Sequence, residues 1–141
     1  MTEGWKVITD WLAAKELQPF AFQEEAWQAY QQGRSGLVNA PTGYGKTFSL
    51  FLGVVIDWID RHPRDFRKKT KNGLQMLWIT PLRALAKDIG RAMEEVLQEL
   101  DMCSICVDYS AVRLICLLNA RMSAGCIVLL CTSVSWAKDN A

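Results

Sequence analysis

The sequence predicts an α/β fold, a parallel sheet with helices on both faces. Three observations predict it. Short apolar runs at residues 36–39 and 74–79 read as strands. Each run leads directly into a segment whose apolar residues recur at helical spacing. A polar connector separates the two strand–helix pairs, as a right-handed βαβα crossover between parallel strands requires.

The elements follow in order along the chain. Trp5, Ile8, Trp11, Leu12 and Lys15 predict an amphipathic helix that ends before Pro19. A second helix is expected from about Phe22 to Gln32. Glu24 and Glu25 suit the positive end of its dipole, and Gly33 suits its C-terminal cap. Gly36, Leu37, Val38 and Asn39 form the first strand candidate. The next helix begins at Lys46, and residues 47–59 are apolar nearly all round, which predicts a buried helix. Residues 61–73 form a polar connection rich in Arg61, Arg64, Arg67, Lys68, Lys69 and Lys71. Charge runs of this kind are usually solvated loops, so His62, beside Pro63, is expected on the surface without a partner. Residues 74–79 are the second strand. Thr80 then suits an N-cap and Pro81 the first helical position. Leu82, Leu85, Ile89, Met93, Val96, Leu97 and Leu100 fall on one helical stripe, with Glu94, Glu95 and Glu99 elsewhere on the surface. No internal repeat is visible.

Between the first strand candidate and the helix at Lys46 lies Ala40-Pro41-Thr42-Gly43-Tyr44-Gly45-Lys46-Thr47. This run reads as a phosphate-binding loop. Gly43 and Gly45 let the backbone curl so that its N–H groups converge on an anion. The helix that follows adds its positive N-terminal end. Lys46 supplies a mobile cation for the β- and γ-phosphates, and the Thr47 hydroxyl is placed to ligate Mg²⁺. The chain is therefore expected to bind a nucleoside triphosphate, ATP with Mg²⁺. Lys46 and Thr47 are its candidate catalytic residues, and Thr47 its metal contact through the nucleotide.

Bulk properties bound the reading. At 141 residues the chain is one domain at most, able to bury roughly 68–70% of its unfolded surface. A net charge of +1 creates no global field for a polyanion. The polar opening Met-Thr-Glu-Gly-Trp-Lys lacks the basic and apolar regions of a signal peptide, so a cytoplasmic location is expected. No apolar run approaches the roughly 18 residues of a membrane span.

Three features together resemble superfamily 2 helicases. Phe20 and Gln23 lie upstream of the loop, as in the Q motif of that superfamily. The loop has the form of motif I, with Ala40 where the general nucleotide motif has glycine. The second strand ends in Ile79-Thr80-Pro81-Leu82-Arg83-Ala84-Leu85-Ala86, which is similar to motif Ia. Trp27, the run Gly36-Leu37-Val38 and the Thr-Pro-Leu-Arg-Ala-Leu-Ala segment look like the Lhr group of DNA helicases, nearest to its ligase-associated DEXH-box branch. The resemblance covers about residues 4–102. It implies that this stretch is the N-terminal part of a RecA-like ATP-binding domain. It implies that Gln23 reads the adenine edge and that Phe20 packs beside the base, where the bland reading makes Phe20 a core aromatic and Gln23 a surface glutamine. Thr42, Gly43, Tyr44, Gly45, Lys46 and Thr47 would cradle the phosphates. Thr80, Pro81 and Arg83 would touch the backbone of single-stranded or partly duplex DNA. The basic connection holds only Phe66 for base stacking and is read as solvated rather than as a DNA surface. DNA repair proteins such as a DNA ligase are the implied partners.

Hydrolysis needs an acidic strand end to hold Mg²⁺ and position water, and arginine fingers from a second domain. In the resembled family the acidic motif is Asp-Glu-x-His. Here the best substitute is Asp108, followed by Tyr109 where glutamate belongs. The 141-residue chain alone is therefore expected to bind ATP with negligible turnover.

Composition changes near Met102. All four prolines precede it, and all five cysteines (Cys103, Cys106, Cys116, Cys126 and Cys131) follow it. Residues 103–141 form an atypical Cys-rich apolar tail. Two accounts stand. A slip of reading frame near codon 102 replaces the native continuation, or residues 114–118 and 126–131 are strands of a divergent continuation. The C-x-x-C pair at Cys103 and Cys106 lacks a second close pair at zinc-site spacing. A non-helicase nucleotide-binding protein and an inactive truncated product are the alternative functional readings.

Overall fold

The computed structural model describes residues 1–41, 43–68, 76–79, 83–102 and 127–130. Among these, the architecture is mostly helical. The elements are α1 (Glu3–Ala14), α2 (Ala21–Gln31), α3 (Lys46–Arg61), β1 (Met76–Ile79), α4 (Arg83–Glu99) and β2 (Ile127–Leu130). The two strands pair in parallel, with Met76 opposite Ile127 and Ile79 opposite Leu130. β2 falls inside the 126–131 segment. Thr42, Thr80, Pro81, Leu82, Asp108, residues 114–118 and all five cysteines, for which the sequence raised expectations, lie outside the described residues.

One expected strand is corrected. Residues 36–39 form no strand, and Leu37 is 86% exposed. A strand exists only through a ladder of backbone hydrogen bonds to a neighbour. Among the described residues β1 pairs with β2, and residues 36–39 pair with neither.

Helix α3 is the centre of the packing. Its buried residues include Phe51, Leu52, Val55, Ile56, Trp58 and Ile59, which occupy nearly its whole circumference, as the apolar run predicts. Ile8 and Leu12 of α1, Trp27 of α2, and Met93, Val96 and Leu97 of α4 join the same buried cluster. Met76 and Trp78 of β1 pack against it from a partly buried position. Trp27 is fully buried, meets the ring of Trp5 edge-on at 5.4 Å, and donates its indole N–H to the carbonyl of Phe48 at 3.2 Å. The indole is satisfied as well as buried, which a tryptophan in a core requires.

The crossing of α1 over α3 depends on Gly4. A Cβ there would lie 2.3 Å from the Ile56 carbonyl oxygen. The same glycine donates its N–H to Asp60 Oδ1 at 2.7 Å, so a carboxylate of α3 caps the first turn of α1. Thr2 Oγ1 accepts from the Trp5 N–H at 3.3 Å and completes that cap.

Three of the described helices end the same way. After α1, Leu17 N–H reaches the Leu12 carbonyl and Glu16 N–H that of Ala13. After α2, Arg34 and Gly33 repeat the pattern onto Ala29 and Tyr30. After α4, Met102 and Asp101 repeat it onto Leu97 and Gln98. This is the Schellman pattern, which needs a left-handed residue after the cap. Gly33 supplies it at no steric cost, whereas Glu16 and Asp101 adopt φ of 58° with a side chain present.

The far end of α1 is fastened to α4. Trp11 Nε1 donates to Glu99 Oε2 at 2.8 Å, and Lys15 Nζ donates to Glu99 Oε1 at 2.8 Å. Glu99, expected as a plain surface glutamate, thus joins two helices far apart in sequence. These bonds, first that from Lys15 and then that from Trp11, hold its carboxyl below the usual carboxylate range.

The connection after α3 is partly as expected. Arg61 pairs with Asp57 and Lys68 with Asp65, so two of its cations are met by acids within one helical turn or loop. Phe66 is buried in the core, and its carbonyl accepts the Trp58 indole N–H at 3.3 Å. His62 is corrected. It is a half-buried cap of α3, stacked on Trp58 with ring centres 4.1 Å apart, because the chain turns back over the helix at that point.

Replacing Gly4 by alanine should force α1 away from α3 and lower stability by about 1–3 kcal/mol, read as a lower urea midpoint. Glu99 adds an acid dependence. Its pKa is lowered by folding, so its contribution is complete above the ordinary carboxylate range and is lost as pH falls through the lowered value. Glu99→Gln should therefore flatten the acid limb of a stability–pH profile while leaving its neutral-to-basic part parallel to that of the wild type.

Candidate nucleotide-binding site

The site is built where α3 begins. Gly45 is the N-cap of α3 and makes no side-chain cap. The first N–H groups of a helix have no intrahelical partner, so they face outward from the start of α3 toward the preceding loop. Gly43 and Gly45 have φ of 89° and 74°. These left-handed values curl the loop, and a side chain would strain them. Lys46 and Thr47 are half-buried on the first turn. Lys46 Nζ donates to the Ala40 carbonyl at 2.5 Å, which closes the loop on itself across six residues. The donor set is backbone N–H groups, a helix N-terminus, an ammonium and a hydroxyl. It fits a triphosphate with its Mg²⁺ by chemistry.

The loop is locked to α2 by Gln23. This side chain is 6% exposed. Its Oε1 accepts from the Phe20 N–H at 2.9 Å, and its Nε2 donates to the Gly45 carbonyl at 3.1 Å. An N–H partner on one side and a carbonyl on the other fix which way the amide points. A Cβ at Gly45 would also lie 2.8 Å from Gln23 Nε2 and would push that amide from its place. Gln23 is therefore not a surface glutamine. Its amide is engaged by backbone groups at both ends.

Phe20 is not a core aromatic either. It is 47% exposed and stands beside Tyr44, itself 49% exposed, with ring centres 5.6 Å apart. Phe22 stacks behind Phe20 at 5.8 Å. Sequence reasoning placed Tyr44 in the loop through its backbone alone and left Phe22 out. The available signal was an aromatic residue set between two glycines, two residues before Lys46.

Arg83 opens α4 as described, remote in sequence from the loop. The structure brings together Phe20, Gln23, Tyr44, Gly45 and Lys46. The strand expected ahead of the loop is absent, so the loop here joins the end of α2, through an irregular segment, to α3. Among the described residues no group of His, Cys, Asp and Glu could hold a metal by itself.

The sequence pattern of the DEAD/DEAH box helicases matches residues 20–138. The chain belongs to this family. Members of the DEAD/DEAH box helicase family generally use ATP with Mg²⁺ and bind nucleic acid. Within it, the chain is similar to the Lhr helicase/probable uracil glycosylase of Mycolicibacterium smegmatis, at 37% identity over 82 residues, 58% of this chain and 5% of that protein. It is also similar to the ATP-dependent helicase Lhr-Core of Methanocaldococcus jannaschii, at 32% over 95 residues, 67% of this chain and 11% of that protein. A third relative is the ATP-dependent helicase Lhr-Core protein 2 of Thermococcus barophilus, at 38% over 69 residues, 49% of this chain and 8% of that protein. The chain is thus an Lhr-like stretch of helicase that spans a small part of these relatives' length. No solved structure matches it. Among the described residues no helix is long and apolar enough to cross a membrane.

Gln23→Ala should cost about 1 kcal/mol or more in nucleotide-free protein, because it removes a buried side chain and takes the partner from part-buried backbone groups at Phe20 and Gly45. A surface glutamine would change the unfolding midpoint by almost nothing, so chemical denaturation separates the two roles.

Proposed function

We propose that residues 1–102 are the front part of the first RecA-like domain of an Lhr-like DNA helicase, in its ligase-associated branch. One observation carries the reading. The loop from Ala40 to Thr47 curls through two left-handed glycines onto an uncapped helix start, with Lys46 at its mouth, inside the residues that match the helicase family. In this reading Gly43, Tyr44, Gly45, Lys46, Thr47 and Thr42 cradle the phosphates of ATP, and Thr47 ligates its Mg²⁺. Lys46 leaves the Ala40 carbonyl to meet the β- and γ-phosphates, exchanging a neutral acceptor for a charged one. Phe20 and Gln23 face the base side. β1 and β2 belong to a larger parallel sheet with helices on both of its faces.

Thr80, Pro81 and Arg83, where α4 begins, are the proposed contact with the phosphates of single-stranded or partly duplex DNA. A helix N-terminus and an arginine fork suit that backbone. The full-length enzyme would couple ATP hydrolysis to movement along the strand and to strand separation, in the cytoplasm, beside repair proteins such as a DNA ligase. The chain of 141 residues carries no Asp-Glu-x-His motif and is proposed to bind ATP with negligible turnover.

The tail from residue 103 keeps its two accounts. The parallel pairing of β2 with β1 and the family match through residue 138 support a strand continuation. The abrupt change in cysteine and proline usage supports a slipped frame. Reading the DNA across codons 95–141 in all three frames decides between them. A second frame that runs on into Asp-Glu-x-His establishes the slip.

The test of nucleotide binding is thermal. ATP with Mg²⁺ at one hundred times its dissociation constant should stabilise the chain by about 2.7 kcal/mol, seen as a raised Tm. Lys46→Ala should abolish that rise. An equal rise in the variant would refute the assignment of the loop, and DNA-stimulated turnover lost in the variant would refute the expectation of negligible hydrolysis.

A further inference from the structure

The rings of Phe20 and Tyr44 take no part in the buried core. Both rings are about half exposed, outside the buried cluster, yet they touch each other from two different elements. Phe20 is the N-cap of α2, and Tyr44 sits between Gly43 and Gly45 in the loop. Exposed aromatic rings gain little from water contact, so a pair held together at a binding loop points to a flat apolar occupant.

We propose that Phe20 and Tyr44 form an aromatic clamp that takes the base of the bound nucleotide between them, which makes Tyr44 a base-binding residue. The proposal rests on the reading of residues 40–47 as the phosphate loop. Two observations, the place of Tyr44 and the spacing of the rings, select the base as occupant. The Tyr44 backbone lies within the loop itself, so its ring is one side chain away from where the phosphates sit. A base tethered to those phosphates through its ribose arrives already close to the ring. The spacing is near what a base needs. The ring centres are 5.6 Å apart and tilted by 48°, whereas a base stacked on both faces needs about 7 Å, two contacts of about 3.5 Å each. The gap therefore opens by little more than an ångström and the rings turn parallel. The two parts of the clamp are also unequally free, as such a motion requires. Phe20 is backed by the stacked ring of Phe22, and its N–H is tied to Gln23. Tyr44 is half exposed and can turn about its own side-chain torsions, beside Gly43, which has open space around it. Phe20 is the fixed jaw and Tyr44 the moving one.

Gln23 lies beneath this pair and couples it to the loop. Its amide joins the Phe20 N–H to the Gly45 carbonyl, so the fixed jaw and the end of the phosphate loop share one side chain. The base and phosphate halves of the site are thereby held at a set separation.

The test measures equilibrium binding of ATP and of inorganic triphosphate, both with Mg²⁺, to the full 141-residue chain. Base stacking on an aromatic side chain makes binding about tenfold tighter. Tyr44→Ser should therefore weaken ATP about tenfold and weaken triphosphate far less, because serine keeps the loop's backbone N–H. Tyr44→Phe should restore ATP binding, since the ring and not the hydroxyl does the stacking. Equal weakening of both ligands by Tyr44→Ser, or no weakening of ATP, overturns the clamp and leaves the phosphate loop standing. A wild-type chain that binds neither ligand overturns the loop reading and the clamp with it. Triphosphate bound as tightly as ATP by the wild type overturns the clamp alone.

Discussion

A helix buried around nearly its whole circumference offers chemistry only at its ends, and α3 is such a helix. Its apolar sides are held chiefly by α1 and α2, and residues of α4 join the same buried cluster. The position of its N-terminus follows, and with it the place where the loop delivers Gly45 and Lys46. The closest approach in that packing, between Gly4 and the backbone of Ile56, permits no side chain. That approach lies roughly three turns along α3 from the helix start that carries the loop.

The polar contacts around the loop then refine what the packing has placed. Gln23 is the best example. Burying an amide is costly unless both of its ends are bonded, and here one end takes the N–H of Phe20 while the other gives to the carbonyl of Gly45. The result is a rigid strut between two segments that would otherwise be an exposed helix start and a flexible Gly-rich turn. Lys46 does the reverse. Its bond to Ala40 uses a neutral acceptor, which a phosphate can replace with a stronger one. Rigid support under the loop and a mobile cation above it are what a phosphate cradle needs.

Much of the helical organisation could be read in advance. Apolar spacing located α1, α2, α3 and the buried stripe of α4, and Gly33 marked the end of α2. These features are local, since periodicity and cap chemistry depend on residues three or four apart. The segment around Leu37 shows where locality fails. Its apolar pair has the composition of a strand, but a strand needs a neighbour, and no local signal states which neighbour is present. His62 and Phe66 failed in the same way. Each reads as part of a charged connector, and each is drawn toward Trp58 because the chain folds back over α3.

By itself the sequence determined that a loop of two glycines, lysine and threonine precedes a buried helix, and it carried the helicase likeness that the family match bears out. It could do so because glycine, lysine and threonine at fixed spacing have a meaning that does not depend on the remainder of the fold. Tertiary structure alone decided that Gln23 is a buried strut, that Glu99 joins α1 to α4, and that Phe20 meets Tyr44 outside the core. Those facts rest on distances between residues some 20 to 90 positions apart. Such distances are set by how helices pack, and packing is a property of the whole set of apolar surfaces rather than of any one segment.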